Sequence, residues 1–347
     1  MVALVTAAGL VWAALVWLAI PNSAGQPATV TNLLEVIKIS LSVVAGIGGV
    51  VALVVAYRKQ RLTENGEKRE QAKLYIERFD KATDKLGNNS PAVRLAGIHA
   101  LAALADDWEE ERQMCIDVLC AYVRLPAEPE PDDEDDPAAQ AAWKGMAEVH
   151  ATAVREIASR LRTDASTPWH GYNFDFTGAA FHSGPDFDGA VFSNGRFLFE
   201  GAEFAGGEVF FRKAQFSGAL VSFAGARCTR ADFFFDGAKF SAGEVLFTHF
   251  ERMPQIFFSE AEFSGGEVSF AASNFSRGGL NFNRAKFSGG KFCLEYADFS
   301  HNDRHTLDFS KVASWDVPPL LPQNSRLRVI LPPQARTPRE KPDDLNN

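Results

Sequence analysis

All but one of the 29 phenylalanines in this 347-residue chain lie between Phe174 and Phe309, and their spacing allows few folds. Phe199, Phe204, Phe211, Phe216, Phe223, Cys228, Phe235, Phe240 and Phe247 follow one another in alternating steps of five and seven, so the period is twelve. After a disturbed stretch at 250–257 the rhythm resumes as Phe258, Phe263, Phe270, Phe275, Phe282, Phe287, Leu294 and Phe299, with one residue lost. Two positions before each mark stands a second apolar or small residue, as at Ala202, Val209, Ala214, Val221, Ala226, Phe233, Val268, Ser273 and Phe292. Residues two apart on an extended chain face the same way, so each unit sends two side chains inward and turns its Glu, Lys, Gln, Ser or Asn to water. A period of twelve suits neither helical heptads nor a meander of long strands. It predicts a solenoid in which each unit buries its apolar face only against its neighbours.

Four stretches carry a more specific likeness: Ala202, Glu203, Phe204; Ala261, Glu262, Phe263; Ala285, Lys286, Phe287; and Ala297, Asp298, Phe299, each followed by two variable residues. They resemble the pentapeptide repeat, whose pattern is a small residue, a polar residue, a large Leu or Phe, and two variable positions. The resemblance covers residues 171–310 and implies a bacterial protein with a right-handed quadrilateral β-helix, one pentapeptide to a side. This chain departs from the plain pattern by lengthening every second unit by two residues, as around Gly206 and Glu208, Gly265 and Glu267, and Gly289 and Lys291. With four units to a turn, a coil then takes about 24 residues, the extra pairs bulging at two opposite corners where glycine tolerates positive φ.

Residues 2–20 form an almost unbroken apolar run without charge, and residues 39–57 form a second; each has about the length of a bilayer-crossing helix. With the polar connection 21–32 they predict a transmembrane hairpin over 1–61. Small residues four apart, Gly9 and Ala13, Ala45 and Gly49, Gly48 and Ala52, let two such helices approach closely. Arg58, Lys59 and Arg61 follow the second run and place its end in the cytoplasm, which makes the expected protein a multi-pass cell-membrane protein with both termini and the β-helix cytoplasmic. A cleaved signal peptide over 2–20 is disfavoured, since a basic leading region and a small-residue cleavage site are both missing. Glu35 and Lys38, three apart at the outer end, read as an interfacial ion pair rather than an ion pathway.

Residues 62–125 predict an amphipathic helical domain that resembles a short run of HEAT-like helical pairs. Its first helix aligns Ala72, Tyr75, Ile76, Phe79, Thr83 and Leu86 and stops at Gly87, Asn88 and Asn89. Ser90 and Pro91 cap a second helix over 92–105, apolar nearly all round; Asp107 and Glu110 open a third, with Met114, Cys115, Val118, Leu119 and Tyr122 as its core stripe. Residues 126–136 read as a solvated acidic linker rather than a calcium loop, for neither the glycine nor the bidentate glutamate of such a loop is in place. Asp136 and Pro137 then cap a helix over 137–163, with Trp143, Met146, Val149, His150, Val154 and Ile157 on one face, expected to plug the first coil. The repeat is expected to stop after Phe309, with Trp315, Val317, Leu320 and Leu321 closing the far end and 311–347 ending in a proline-rich disordered tail. The predicted fold class is thus mixed: two transmembrane helices, a small all-α domain, then the β-helix.

Function is far less legible. The formal charge of −9 is spread as about −6 over 126–170 and about −5 over 171–310, with no basic domain, so nucleic acid is not an expected partner. Four scattered cysteines make neither a disulfide framework nor a zinc site, and Cys228, standing where Phe would be, reads as a small buried hydrophobe. His99 reads as a core or boundary residue, and His182, His249, His301 and His305 are dispersed without a base, nucleophile or metal spacing beside them. Accordingly no catalytic, cofactor-binding or metal-binding residue is assigned, and no enzyme activity or cofactor is expected. The expected partners are the membrane, through residues 2–20 and 39–57, and a protein that no motif identifies. Two functions fit: a membrane-tethered scaffold presenting a rigid surface to a protein, or, as the resemblance also allows, an acidic DNA mimic that inhibits a topoisomerase. Arg196, Arg212, Lys213, Arg227, Arg230, Lys239, Arg277, Arg284 and Lys286 on the same rod favour the scaffold.

Overall fold

The computed structural model of the chain describes residues 9, 12, 13, 30–126, 131, 136–275, 278–299, 306–322 and 327–335. Contacts divide the chain into two compact units, Met1–Leu74 and Tyr75–Asn347. Helix α1 runs Val30–Leu86, 57 residues without a break. The expected second span and the expected amphipathic helix are therefore one element, and the last residues of the expected connection, Val30, Thr31 and Asn32, already belong to it. The segment between the two apolar patterns is built of good helix formers, and Gly66 costs only about 1 kcal/mol in a helix interior, too little to stop it.

Among the described residues α1 is the one helix long and apolar enough to cross a membrane, where the sequence predicts two. None of its apolar window is buried in protein, and Leu41, Val50 and Leu53 are all exposed. The expected span at 2–20 lies outside the described residues apart from Gly9, Trp12 and Ala13, which are helical; the Glu35 side chain, and so its pair with Lys38, also lies outside them.

The second unit opens on a layer of helices. Tyr75, Phe79, Ala82 and Leu86 turn inward from the last turns of α1, whereas Ala72 and Ile76, expected on that face, are exposed. The inward stripe has the four-three-four spacing of one helix face, and Ile76 sits one position off it. Helix α2, Pro91–Asp107, buries Ile98, Leu101, Leu104 and Ala105 and crosses α1 closely at Gly97, where an added Cβ would lie 3.0 Å from Leu86 Cδ2 and 3.1 Å from the Ala82 carbonyl. Ser90 caps it through its backbone rather than its side chain, accepting from Val93 and Arg94 N–H at 3.0 and 3.1 Å. Helix α3, Arg112–Arg124, starts later than expected and without a side-chain cap. Its carbonyl-facing work is done by Arg112, which is buried and donates from Nε to the Ala105 carbonyl at 2.7 Å and from Nη2 to the Asp106 carbonyl at 3.1 Å, satisfying orphan groups at the end of α2. Of the expected α3 stripe Cys115, Leu119 and Tyr122 are buried, joined by Ile116, Cys120 and Val123 on a second buried face.

Helix α4, Pro137–Leu161, begins at the predicted cap: Asp136 Oδ1 accepts from the N–H groups of Ala138 and Ala139 at 3.1 and 3.0 Å. Most of the acidic linker before it, residues 127–130 and 132–135, lies outside the described residues. The end of α4 is tied down by Arg160, which bonds both oxygens of Asp106 and lies 4.9 Å over the ring of Trp169, while Trp169 Nε1 donates to Asp106 Oδ1 at 3.0 Å. His99, expected in the core or at its boundary, is exposed and holds Glu156 at 3.2 Å.

From Phe174 the chain winds into a parallel β-solenoid of about six turns. Successive coils pair with offsets that match the predicted length: Phe210 faces Phe234, and Lys239 faces Gln215, both 24 residues apart, while Phe234 faces Phe257, 23 apart, where the sequence loses a residue. Every mark from Phe199 to Phe299 is buried. The marks form four inward columns. Phe187, Phe211, Phe235, Phe258, Phe282 and Phe309 stack at 4.9–5.7 Å. Phe192, Phe216, Phe240, Phe263 and Phe287 stack at 4.7–4.9 Å and end on Trp315. Phe176, Phe199, Phe223, Phe247 and Phe270 stack at 4.9–5.2 Å and end on Leu294. Each ring removes large apolar area from water, about 2 to 3 kcal/mol, and near-parallel stacking adds roughly 0.5–1.5 kcal/mol.

The remaining column is interrupted. Phe181 stacks on Phe204 and Phe275 on Phe299, but between them stand Cys228 and Met253. Met253 takes the column position because its N–H bonds to the carbonyl of Asn274, the residue before Phe275, at 2.9 Å. The space these smaller side chains leave is taken by Phe233, whose ring meets Phe204 at 5.0 Å and Phe223 at 5.6 Å, and by Phe250 behind it. Leu294 is compensated in the same way by Phe292 two residues before it. Packing volume, rather than the identity of any one mark, is what the interior conserves from coil to coil.

Each coil holds two lengthened units, twelve residues apart. At one of them the chain stays in β-structure through the corner, giving the long strands Gln215–Ser222, Lys239–Leu246, Glu262–Ser269 and Lys286–Cys293, with register shifts where the extra pair bulges. Gly265 and Gly266 show why glycine is needed there: a Cβ on Gly265 would fall 2.0 Å from the Ser241 carbonyl oxygen, and Gly266 has φ +69°.

Two expectations about the ends change. The first coil is not plugged by α4 alone: α3 lies against Phe174–Asp175, with Arg124 paired to Asp175 and Gln113 exchanging two hydrogen bonds with the Asn173 backbone at 2.8 and 3.0 Å. Coiling also continues past Phe309. Ser314–Trp315 pairs with Lys286 and Phe287, and Arg328–Ile330 pairs with Thr306–Asp308, so Trp315 is a further member of its column. Val317 and Leu320, expected to help close this end, are exposed. The tail from residue 336 lies outside the described residues.

Candidate functional site

Two places on the second unit stand out from the repeat, one on its outer surface and one beneath its helical cap. The first arises from the doubled phenylalanines. On the side whose inward column runs from Phe187 to Phe309, the position just before each mark points outward and carries Asp186, Phe210, Phe234, Phe257 and Asn281 in coil order. Phe210 and Phe234 meet at 5.4 Å and Phe234 and Phe257 at 4.7 Å, a partly exposed aromatic stripe three coils long with polar residues at both ends. Arg212 sits 4.3 Å over the Phe210 ring and pairs with Asp188 at 2.6 Å, so one edge of the stripe is charged. The five-and-seven spacing assigns phenylalanine to the interior, and these three depart from it. Their sequence signal is the run of adjacent Phe at 210–211, 233–235 and 257–258, which the spacing argument passes over.

Elsewhere on the coils several acidic side chains are paired with basic ones one coil away. Glu262 accepts from Lys286 at 2.6 Å, Glu267 from Lys291 at 2.9 Å, Glu260 meets Arg284 at 3.1 Å and Glu251 meets Arg227 at 3.2 Å. These are exposed ion pairs and contribute little to stability, but they neutralise the acidic columns coil by coil. Arg277, His301 and His305 lie outside the described residues, and His249 is exposed in a turn with φ +54°.

The second place is a cavity of about 410 Å³ between α4 and the first coil. Its polar lining is Glu148, His150 and Arg155 from α4, Arg162 just after it, and His182, Ser183 and Asp186 from the coil. His150 and His182 also line a neighbouring cavity of about 300 Å³, whose walls include Arg94, Tyr122 and Trp143. Three buried side-chain nitrogens here have no hydrogen-bond partner: His150 Nδ1, His182 Nε2 and Arg162 Nε. Burial, then His182 and Arg94 nearby, hold the His150 pKa below the usual histidine value. The sequence treats His150 as a helix-face residue and His182 as dispersed; the turn of the chain from α4 into the first coil brings them to one wall. Among the described residues no three His, Cys, Asp or Glu side chains converge as metal ligands.

The four cysteines are buried and free. Cys228 is more than a small hydrophobe, since its thiol donates to the Ala231 carbonyl at 2.8 Å and accepts from the Ala231 N–H at 3.3 Å, closing the turn where the column is interrupted.

Compared with known proteins, the chain matches no family model, no curated sequence and no solved structure. What stands is a β-solenoid of regularly spaced phenylalanine, consistent with a fold of the pentapeptide-repeat kind and preceded by a helical region.

Proposed function

We propose that this chain is a non-catalytic scaffold, tethered to a bacterial cell membrane, whose outward stripe of Phe210, Phe234 and Phe257 binds a protein partner. The stripe is the observation that carries the reading. A solenoid that buries nearly all its phenylalanine rings leaves these three at its surface, and a partly exposed apolar strip with a charged edge is a typical protein-interaction feature. The right-handed quadrilateral β-helix of pentapeptide-repeat proteins supplies a rigid, flat-sided support for it. The apolar part of α1 supports the tether, and Arg58, Lys59 and Arg61 after it support a cytoplasmic β-helix, with residues 2–20 as a second span returning the N-terminus to the same side.

The DNA-mimic alternative is disfavoured by the cross-coil ion pairs. A duplex presents an uninterrupted negative charge about every 1.7 Å, whereas here lysine and arginine interrupt the acidic columns. A photo-reactive residue in place of Phe234 should cross-link a discrete protein in the cell of origin, and one in place of Ser241, exposed on another side, should not. Equal labelling from the two positions, or none from Phe234, would sink the proposal.

A further inference from the structure

We propose that the cavity between α4 and the first coil binds a small phosphate-bearing molecule through His150, His182, Arg155 and Arg162. Arg162 Nε–H is an obligate donor, buried without an acceptor, and leaving it so costs roughly 1–3 kcal/mol or more for a charged group. His150 Nδ1 and His182 Nε2, also unpartnered and lining the same cavity, become donors in one tautomer or when protonated. His150 is itself more than nine-tenths buried, at 8% exposure. Three nitrogens without a partner thus belong to side chains that wall a space of about 410 Å³, at the small end of ligand cavities. An oxyanion is the acceptor these groups lack and the natural counter-charge to the guanidinium groups.

The two carboxylates of the lining do not fill this role. Glu148 Oε1 is held by Arg155 at 3.1 Å and by the Thr152 hydroxyl at 3.3 Å. Asp186 Oδ1 accepts from the Asp188 N–H at 2.9 Å, and its Oδ2 stands 3.6 Å from Arg162 Nη2, leaving Nε free. The charged and titratable groups facing His150 are Arg94 of α2, Tyr122 of α3, Glu148 and Arg155 of α4, and Arg162, His182 and Asp186 beyond it. With neutral histidines the three arginines exceed the two carboxylates by one positive charge, and a proton on His150 adds to it. Anion binding and proton uptake are therefore linked, each favouring the other.

The test is isothermal titration calorimetry of the full chain in detergent, with inorganic sulfate as a tetrahedral probe that does not itself titrate near neutrality. Glycerol 3-phosphate serves as the organic phosphate. Saturable binding of both is expected, with sulfate roughly tenfold tighter at about pH 6 than at about pH 8 as one proton is taken up. Arg162→Gln and His182→Gln should each abolish it while circular dichroism and the unfolding midpoint show a folded protein. Arg155→Gln, at a side chain 63% exposed, keeps the test decisive if either of those variants fails to fold, and should weaken binding several-fold. No saturable binding of either probe at about pH 6, or binding unchanged in the folded variants, overturns the proposal, as does sulfate binding without binding of the ester.

Discussion

Ser273 shows at the scale of one residue how the repeat absorbs its own defect. Its position, two before a mark, is alanine in the equivalent Ala179, Ala202 and Ala226, yet here a hydroxyl is fully buried. The Phe250 N–H donates to Ser273 Oγ at 3.2 Å and the hydroxyl donates to the Phe247 carbonyl, two backbone groups left unpaired where the coil loses a residue. Ser273→Ala should thus lower unfolding free energy by about 1–3 kcal/mol, more than a surface serine would, because buried polar groups lose their partner. Phe270→Ala, which removes a ring stacked 4.9 Å from Phe247, should cost roughly 3–5 kcal/mol, while Glu267→Ala at the surface should leave the chemical-denaturation midpoint close to that of the parent. Equal midpoints for these last two would refute the register. His150 makes a pH prediction. Burial first, then His182 and Arg94, lower its folded pKa, so the folded state resists protonation. Stability is then intact above the unfolded value of about 6.5 and falls as pH drops below it, and His150→Gln should flatten that fall between about pH 7 and about pH 5.

At the scale of elements, the helical layer and the first coil are bound by charge-assisted contacts as much as by apolar packing. Arg124 with Asp175 and Gln113 with the Asn173 backbone link the two, while Arg112 with the end of α2 and Arg160 with Asp106 tie the helices to one another, and none has a periodic sequence signal. The cysteines of α3 report on this layer. Burial, with Glu111 adding to it, pushes Cys115 up to about 11, and burial pushes Cys120 up to about 12, so neither is a thiolate near neutral pH. Neither should react with a maleimide until the helices open, and their modification under denaturant should coincide with loss of near-ultraviolet circular dichroism. Separate transitions would mean that α3 opens apart from the solenoid. The same inertness makes introduced cysteines readable: in intact cells Ser23→Cys should react with a membrane-impermeant thiol reagent and Ser288→Cys should not, and the opposite pattern would invert the proposed topology.

For the molecule as a whole, the proposed scaffold role predicts that the full chain in detergent neither binds duplex DNA at physiological salt nor inhibits a DNA topoisomerase; inhibition at micromolar concentration would favour the DNA mimic instead. The solenoid, its period of twelve and the inward marks were legible in the spacing of Phe199, Phe204, Phe211 and Phe216 and their successors, because a strand's side chains alternate and a repeat faces only its neighbours; the coil of about 24 residues came from the resemblance to four-sided pentapeptide repeats. The cap of Asp136 was legible for the same kind of reason, a local hydrogen bond between near neighbours in the chain. The continuous α1 follows from local helix propensity that the two separate apolar patterns concealed, whereas the continuation of coiling through Trp315 and Met253 as the missing mark were decided by tertiary structure, since each depends on what lies one coil away. So were both candidate sites. Phe210, Phe234 and Phe257 are successive in a stripe only because the coil returns after 23 or 24 residues, and His150 meets the wall of His182 only because the chain reverses after α4; no periodicity in sequence encodes a neighbour that the turn of the chain supplies.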